Sequence, residues 1–145
     1  MDFVVWILGG LGLVLLLVLI VVAGVVIGGT LPRDHVAART VSCRRSPEAI
    51  WAAINDPAIM EARGQGTGRS EVVESVPPRL LVRKVVGERD YGGTWTCEIT
   101  PTAEGCTLTI TENGYVYNRF LRFVSKYVIG HHRSIDGVLK RLQER

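Results

Sequence analysis

An α+β domain behind one membrane-crossing helix is the fold class this sequence predicts. Three observations carry it. Residues 3–29 form an uncharged apolar run. Segments with strand-like, two-residue alternation fill the middle of the chain. The stretch from Arg119 to Leu142 repeats apolar residues at helical spacing, and a sheet is the apolar surface in this chain that can cover it.

The chain has 145 residues, enough for one domain and an appendage. All 17 Lys and Arg lie at residue 33 or beyond, while Asp2 alone of the 14 acidic residues precedes residue 31. The remainder is mildly basic. That balance suits an anionic membrane surface and is too diffuse for nucleic acid, so no nucleic-acid partner is expected. Cys43, Cys97 and Cys106 make an odd count without a CxxC, so neither a zinc nor a redox signature is present and no metal or cofactor is implied. Buried free thiols in a reducing compartment fit this pattern.

Taken in order, the 3–29 run reads FVVWILGGLGLVLLLVLIVVAGVVIGG. About 20 apolar residues span a bilayer, so the run is long enough with tilt to spare. A secretory signal needs a basic start and a shorter apolar core, whereas Asp2 is acidic and this core is long. An uncleaved transmembrane helix over 3–29 is therefore predicted, with Trp6 as an interfacial anchor. Arg33, Arg39, Arg44 and Arg45 follow the run and no basic residue precedes it. The positive-inside rule then gives a single-pass membrane protein with its N-terminus outside and its C-terminal domain, 35–145, in the cytoplasm. Gly24 and Gly28 form a GxxxG, a spacing that lets two helices approach closely and offers a homodimer face. Glycine is also common in membrane helices that have no partner.

Beyond the exit Leu31-Pro32-Arg33, residues 35–44 (HVAARTVSCR) read as the first strand. Ser46-Pro47-Glu48 is a helix start: an N-cap serine, a proline tolerated at the first position, and an acid complementing the helix dipole. The helix stops at Asp56-Pro57, because the residue before proline is pushed out of the α region. Ile50, Trp51 and Ile54 form its buried face, and a short second turn, PAIMEAR, follows. Gly64, Gly66 and Gly68 lie in GQGTGR, which precedes a strand and so reads as a loop rather than a phosphate cradle. Strands follow at 71–76 and, after Pro77-Pro78, at 79–86. A hairpin then runs through 93–100 and 106–112 and turns over 101–105. Trp95, Cys97, Ile99, Cys106, Leu108 and Ile110 share one face. Thr94, Thr96, Glu98, Thr100, Thr107, Thr109 and Thr111 share the other, as in an antiparallel sheet covered on one side. The last element is one long amphipathic helix. Phe120, Phe123, Val124, Tyr127, Val128, His131, Ile135, Val138, Leu139 and Leu142 form its apolar stripe. Gly130 and Gly137 each weaken it by roughly 1 kcal/mol relative to alanine.

The stretches TVSCRRSPEAIWAAINDP, EVVESVPPRLLVRKV and GGTWTCEITP, followed by TENGYVYNRFLRFVSKYVIGHHRSIDGVLKRL, resemble the START-like or SRPBCC superfamily, in particular its polyketide cyclase/dehydrase-like members. The resemblance implies a helix-grip fold, a curved antiparallel sheet around the long C-terminal helix with a cavity between them. It also implies an apolar or lipid-like small-molecule ligand. Trp95, Cys97, Ile99, Leu108, Ile110, Tyr117, Phe123, Tyr127 and Ile135 would line that cavity. Asn118 and Arg122 match a recurrent T-E-x-G-x-V-Y-N pattern with a following Arg and would fix the strand-to-helix corner. Relatives of this kind carry about two more strands before EVVES. Only residues 58–69 occupy that gap here, so a hairpin is expected to be lacking, which would shrink or open the cavity and leave a sheet edge able to pair with another chain.

No catalytic constellation stands out. HExxH, GxSxG and Walker patterns are absent. His131 and His132 are adjacent on a helix, so one faces the sheet and the other solvent. Glu98 and Glu112 read as outward or terminal strand positions, and Cys97 as a core thiol without a base. The leading reading is a non-enzymatic, membrane-tethered module for an apolar or lipid-like molecule. The alternatives are an interaction or structural protein with a degenerate cavity, which could form a homodimer through Gly24 and Gly28 or a sheet edge, and, third, a cyclase/dehydrase-type enzyme.

Overall fold

The computed structural model describes residues 2–60, 69–86 and 88–143, with side chains from Trp6 onward. The glycine-rich stretch 64–68 lies outside the described residues. Helix α1 (Asp2–Thr30) is one continuous helix with a mean hydropathy of 3.2 over its apolar window, long and apolar enough to cross a bilayer. After three intervening residues begins β1 (Asp34–Cys43). Helix α2 (Pro47–Ile54) starts where Ser46 Oγ accepts a hydrogen bond from the Ala49 amide, 3.2 Å away. A single turn, α3 (Pro57–Met60), is opened in the same way by Asp56, whose Oδ1 accepts from the Ala58 amide at 2.8 Å.

The sheet contains β2 (Arg69–Val76), β3 (Leu80–Val86), β4 (Tyr91–Thr102) and β5 (Gly105–Val116) together with β1, all antiparallel, in the order β1-β5-β4-β3-β2. The two long strands of the hairpin extend past the ends expected from alternation. Thr102 pairs with Gly105 across a two-residue turn. Gly105 has φ +146°, and a Cβ there would strike the Cys43 carbonyl. In the register Cys97 faces Ile110 and Ile99 faces Leu108, and all four are buried. Ile50 and Ile54 of α2, Ile59 of α3 and Leu81 of β3 complete one side of the core. Among the described residues no strand lies between α3 and β2, and all eight residues of the edge strand β2 are exposed. The three cysteines are free thiols, with Cys43 and Cys106 directly opposite each other.

The C-terminal helix departs from expectation. It is not one rod but three pieces: α4 (Arg119–Val124), a π-helical turn (Ser125–Ile129) and α5 (Arg133–Gln143). The break falls at Gly130, whose φ of +81° and ψ of 135° lie where L side chains rarely go. The physical reason is that the two halves serve different partners. α5 lies on the sheet and buries Ile135, Val138, Leu139 and Leu142, with Asp136 accepting from Arg39 Nε on β1 at 3.0 Å. α4 instead packs along the last turns of α1. A Cβ on Gly24 would come within 2.8 Å of the Phe120 ring, and one on Gly28 would overlap the Arg119 carbonyl oxygen. The glycine pair thus faces a helix of its own chain, and the face read from sequence as a homodimer surface is occupied there. A sheet gripping α5, with α4 diverted to α1, is the helix-grip arrangement found here.

Candidate functional site

The inner face of the sheet is built by parity. Cys106, Leu108 and Ile110 point inward on β5, and the next inward position is Glu112. Trp95 lies opposite Glu112 on β4, Arg83 opposite Trp95 on β3, and Ala37 opposite Glu112 on β1. Two residues along, the row reads Gly93, Gly114 and His35. Gly114 has no side chain to fill this row, and its place is taken by the His35 imidazole, which a Cβ on Gly114 would strike.

A polar cluster therefore sits at one end of an otherwise apolar wall. His35 Nε2 lies 3.6 Å from Glu112 Oε1, and both side chains are more than four-fifths buried. The His131 ring stacks on His35 with centroids 4.1 Å apart, and His131 Nδ1 is 3.5 Å from Ser125 Oγ. Glu112 Oε2 and Arg83 Nε are buried without a hydrogen-bond partner. Beside the two imidazoles a cleft of about 260 Å³ opens between the segment that follows α1 (Leu31–Asp34), the end of β5 at Val116, and Arg122, Ser125 and Lys126.

Arg122 is 8 % exposed. Its guanidinium donates to the Leu31 carbonyl at 2.8 Å and the Tyr117 carbonyl at 3.1 Å, and Nε is left without a partner. Asn118 caps α4 by accepting from the Leu121 amide at 3.1 Å. Of the residues expected to line a cavity, Cys97, Ile99, Leu108, Ile110 and Ile135 come together in the packed core, with Trp95 against it. Tyr117, Phe123 and Tyr127 do not join them. Phe123 meets α1 at Gly24 and Tyr127 is more than half exposed, because their segment, which ends at Gly130, packs on α1 and not on the sheet; Tyr117, one residue past the end of β5, is also more than half exposed. Burial pushes the Cys97 thiol up to about 11, against a smaller opposing effect of Arg83, so it is protonated at neutral pH.

Sequence reasoning missed His35, Arg83 and Glu112. The signal was available for Glu112, since alternation carried two residues past Ile110 makes it inward, not outward or terminal. The side of the sheet that His131 faces is the one expected.

Burial lowers the His131 pKa below its ordinary 6.5, helped by His35, His132 and Lys126 and opposed by Glu112. The unfolded chain then binds the proton more readily than the folded one. Stability is full above about pH 6.5 and falls as pH drops through that value toward the lower folded pKa. Thermal midpoints measured between pH 7.5 and about 5 should decline, and His131→Phe, which keeps the stack, should flatten that slope.

No family model matches the chain, and no curated protein matches it. Solved structures do. Protein MLL2253 from Mesorhizobium loti is 18 % identical, with 76 % of this chain and 98 % of that one covered and a TM-score of 0.55. Mll3558 from Rhizobium loti is 19 % identical over 77 % and 94 %, at 0.54. Norcoclaurine synthase from Thalictrum flavum is 11 % identical over 83 % and 92 %, at 0.53. At such identities the likeness shows the fold and nothing finer.

Proposed function

We propose that this chain, which has the START-like (SRPBCC) fold, is a single-pass membrane protein whose domain binds an apolar or lipid-like small molecule bearing a polar group. The observation that supports it most is the pair of buried, unpartnered polar atoms, Arg83 Nε and Glu112 Oε2, set in an apolar wall beside Trp95. A buried orphan of this kind costs about 1–3 kcal/mol, and a ligand's polar end would relieve it. The ligand's apolar body would gain about 25 cal/mol for each Å² it removes from water. The cleft beside His35 and His131 opens next to the exit of α1, where a molecule leaving a bilayer arrives. Arg33, Arg39, Arg44 and Arg45 favour the cytoplasmic side for the domain.

Native mass spectrometry of the full-length protein released from nanodiscs tests this. A reproducible added mass of a few hundred daltons is expected. Its occupancy should fall about tenfold or more in Arg83→Leu and Glu112→Leu, since a hydrogen bond to a charged group contributes about 1.5–3 kcal/mol. A protein that is always empty, or an adduct indifferent to both substitutions, would sink the reading.

The His35–Glu112 pair favours one second reading, an enzyme in which His35, held by the carboxylate, takes a proton from a carbon acid of the cyclase or dehydrase type. Recovery of the bound molecule chemically unchanged after incubation would remove it. The uniformly exposed edge β2 favours assembly through strand pairing instead, which a monomeric mass would exclude.

A further inference from the structure

We infer that α4 and the π-helical turn form a second membrane-contacting element, lying in the headgroup region of the same bilayer that α1 crosses. This rests on the reading of α1 as a transmembrane anchor. Four large apolar side chains of the segment stand in the open: Leu121 at 38 %, Tyr127 at 58 %, Val128 at 66 % and Ile129 at 50 % exposed. In a water-facing position that concentration is unfavourable, and among the described residues none covers it.

The depth of the segment identifies its occupant. Phe120 and Phe123 pack on Gly24, and Arg119 packs on Gly28. Gly24 lies six residues before the end of α1, or about 9 Å along the helix at 1.5 Å per residue. Interfacial helices sink their apolar face about 5–10 Å into the headgroup and acyl boundary. The span Trp6–Thr30 has 25 residues, and about 20 cross the hydrocarbon. Counted from Trp6, those 20 end near Val25, so Gly24 stands at the edge of the hydrocarbon and Gly28 beyond it, which is the level where α4 packs. The charges agree. Arg119 and Lys126 are exposed on the same segment and Arg33 lines the adjoining cleft, all at the height of anionic headgroups. Lys126 lies over the Tyr127 ring with Nζ 5.5 Å from its centroid, an aromatic–cation pair of the sort that settles at a membrane surface. Because α4 is packed on the C-terminal end of α1, the bilayer that α1 crosses is the surface these four residues meet.

The test uses full-length protein in vesicles of phosphatidylcholine and phosphatidylglycerol, with lipids brominated either near the headgroup or near the chain ends. Three single-tryptophan reporters are read in a background with Trp6, Trp51 and Trp95 each replaced by Phe: Tyr127→Trp, Val18→Trp in the middle of α1, and Val36→Trp on the exposed face of β1. The expected result is strong quenching of the Val18→Trp reporter by deep bromines. The Tyr127→Trp reporter should be quenched at least half as strongly, and more by shallow than by deep bromines. The Val36→Trp reporter should stay unquenched. If the Val18→Trp reporter is quenched and the Tyr127→Trp reporter behaves like Val36→Trp, the anchor stands and the second contact is refuted. A blue-shifted but unquenched Tyr127→Trp emission means another protein surface covers the segment, which also refutes it. If the Val18→Trp reporter is itself unquenched, α1 is not in the bilayer and both readings fall together.

Discussion

Replacing Arg122 with leucine is expected to lower the thermal midpoint of the full-length protein in detergent by at least about 10 °C. The guanidinium holds two carbonyls that belong to different parts of the molecule, Leu31 at the exit of α1 and Tyr117 at the end of β5. Each such charge-assisted bond contributes about 1.5–3 kcal/mol, and its loss leaves a carbonyl without its donor. One effect runs the other way. The buried Nε already lacks a partner, so leucine removes a desolvated charge, which places the outcome toward the lower end of the sum. Arg122→Lys keeps the charge but cannot fork to both carbonyls, so it should fall between wild type and leucine. A leucine variant within about 3 °C of wild type would show that the corner is held by other contacts.

Leu108→Ala should cost about 2–5 kcal/mol, read as a shift of the urea midpoint at unchanged slope. Leu108 is fully buried and lies between Ile99 on β4 and Val41 on β1, at the centre of the sheet's inner face. α5 closes over that face with Ile135 and Val138. Thr100→Ala, on the exposed face of the same hairpin, should stay within about 0.5 kcal/mol. A loss as small at Leu108 would mean that the site collapses around the cavity.

The strands and the first helix were legible because their causes are local. Alternation places Cys97, Ile99, Leu108 and Ile110 on one face whatever lies beyond them, and Ser46 caps its helix by itself. The C-terminal half was legible in composition and not in path. Gly130 could be seen to weaken a helix, but the break depends on α4 finding the Gly24–Gly28 face of α1, a partner far away in sequence. The same distance hid the meaning of that glycine pair. The polar cluster was half legible. Parity reaches Glu112, while its meeting with His35 and His131 needs the register of β1 on β5 and the turn after Gly130, neither of which the residues announce.

Leu31, Pro32 and Arg33 are all that separate α1 from β1, and the joint is pinned at both ends. Leu31 is held by Arg122, and the Arg33 carbonyl accepts from the Val116 amide at 2.8 Å. A joint held this way transmits rotation instead of absorbing it. An anchor whose apolar length exceeds the local hydrocarbon thickness tilts. Because the link cannot swivel, the sheet must tilt with it. On the proposed reading of α1 as a membrane anchor, membrane thickness becomes a mechanical input: a thin bilayer leans the whole domain over, a thick one stands it upright, and the mouth of the cleft swings along that arc. A flexible linker would discard this gearing. The chain is built as a lever, with its fulcrum at Leu31–Arg33.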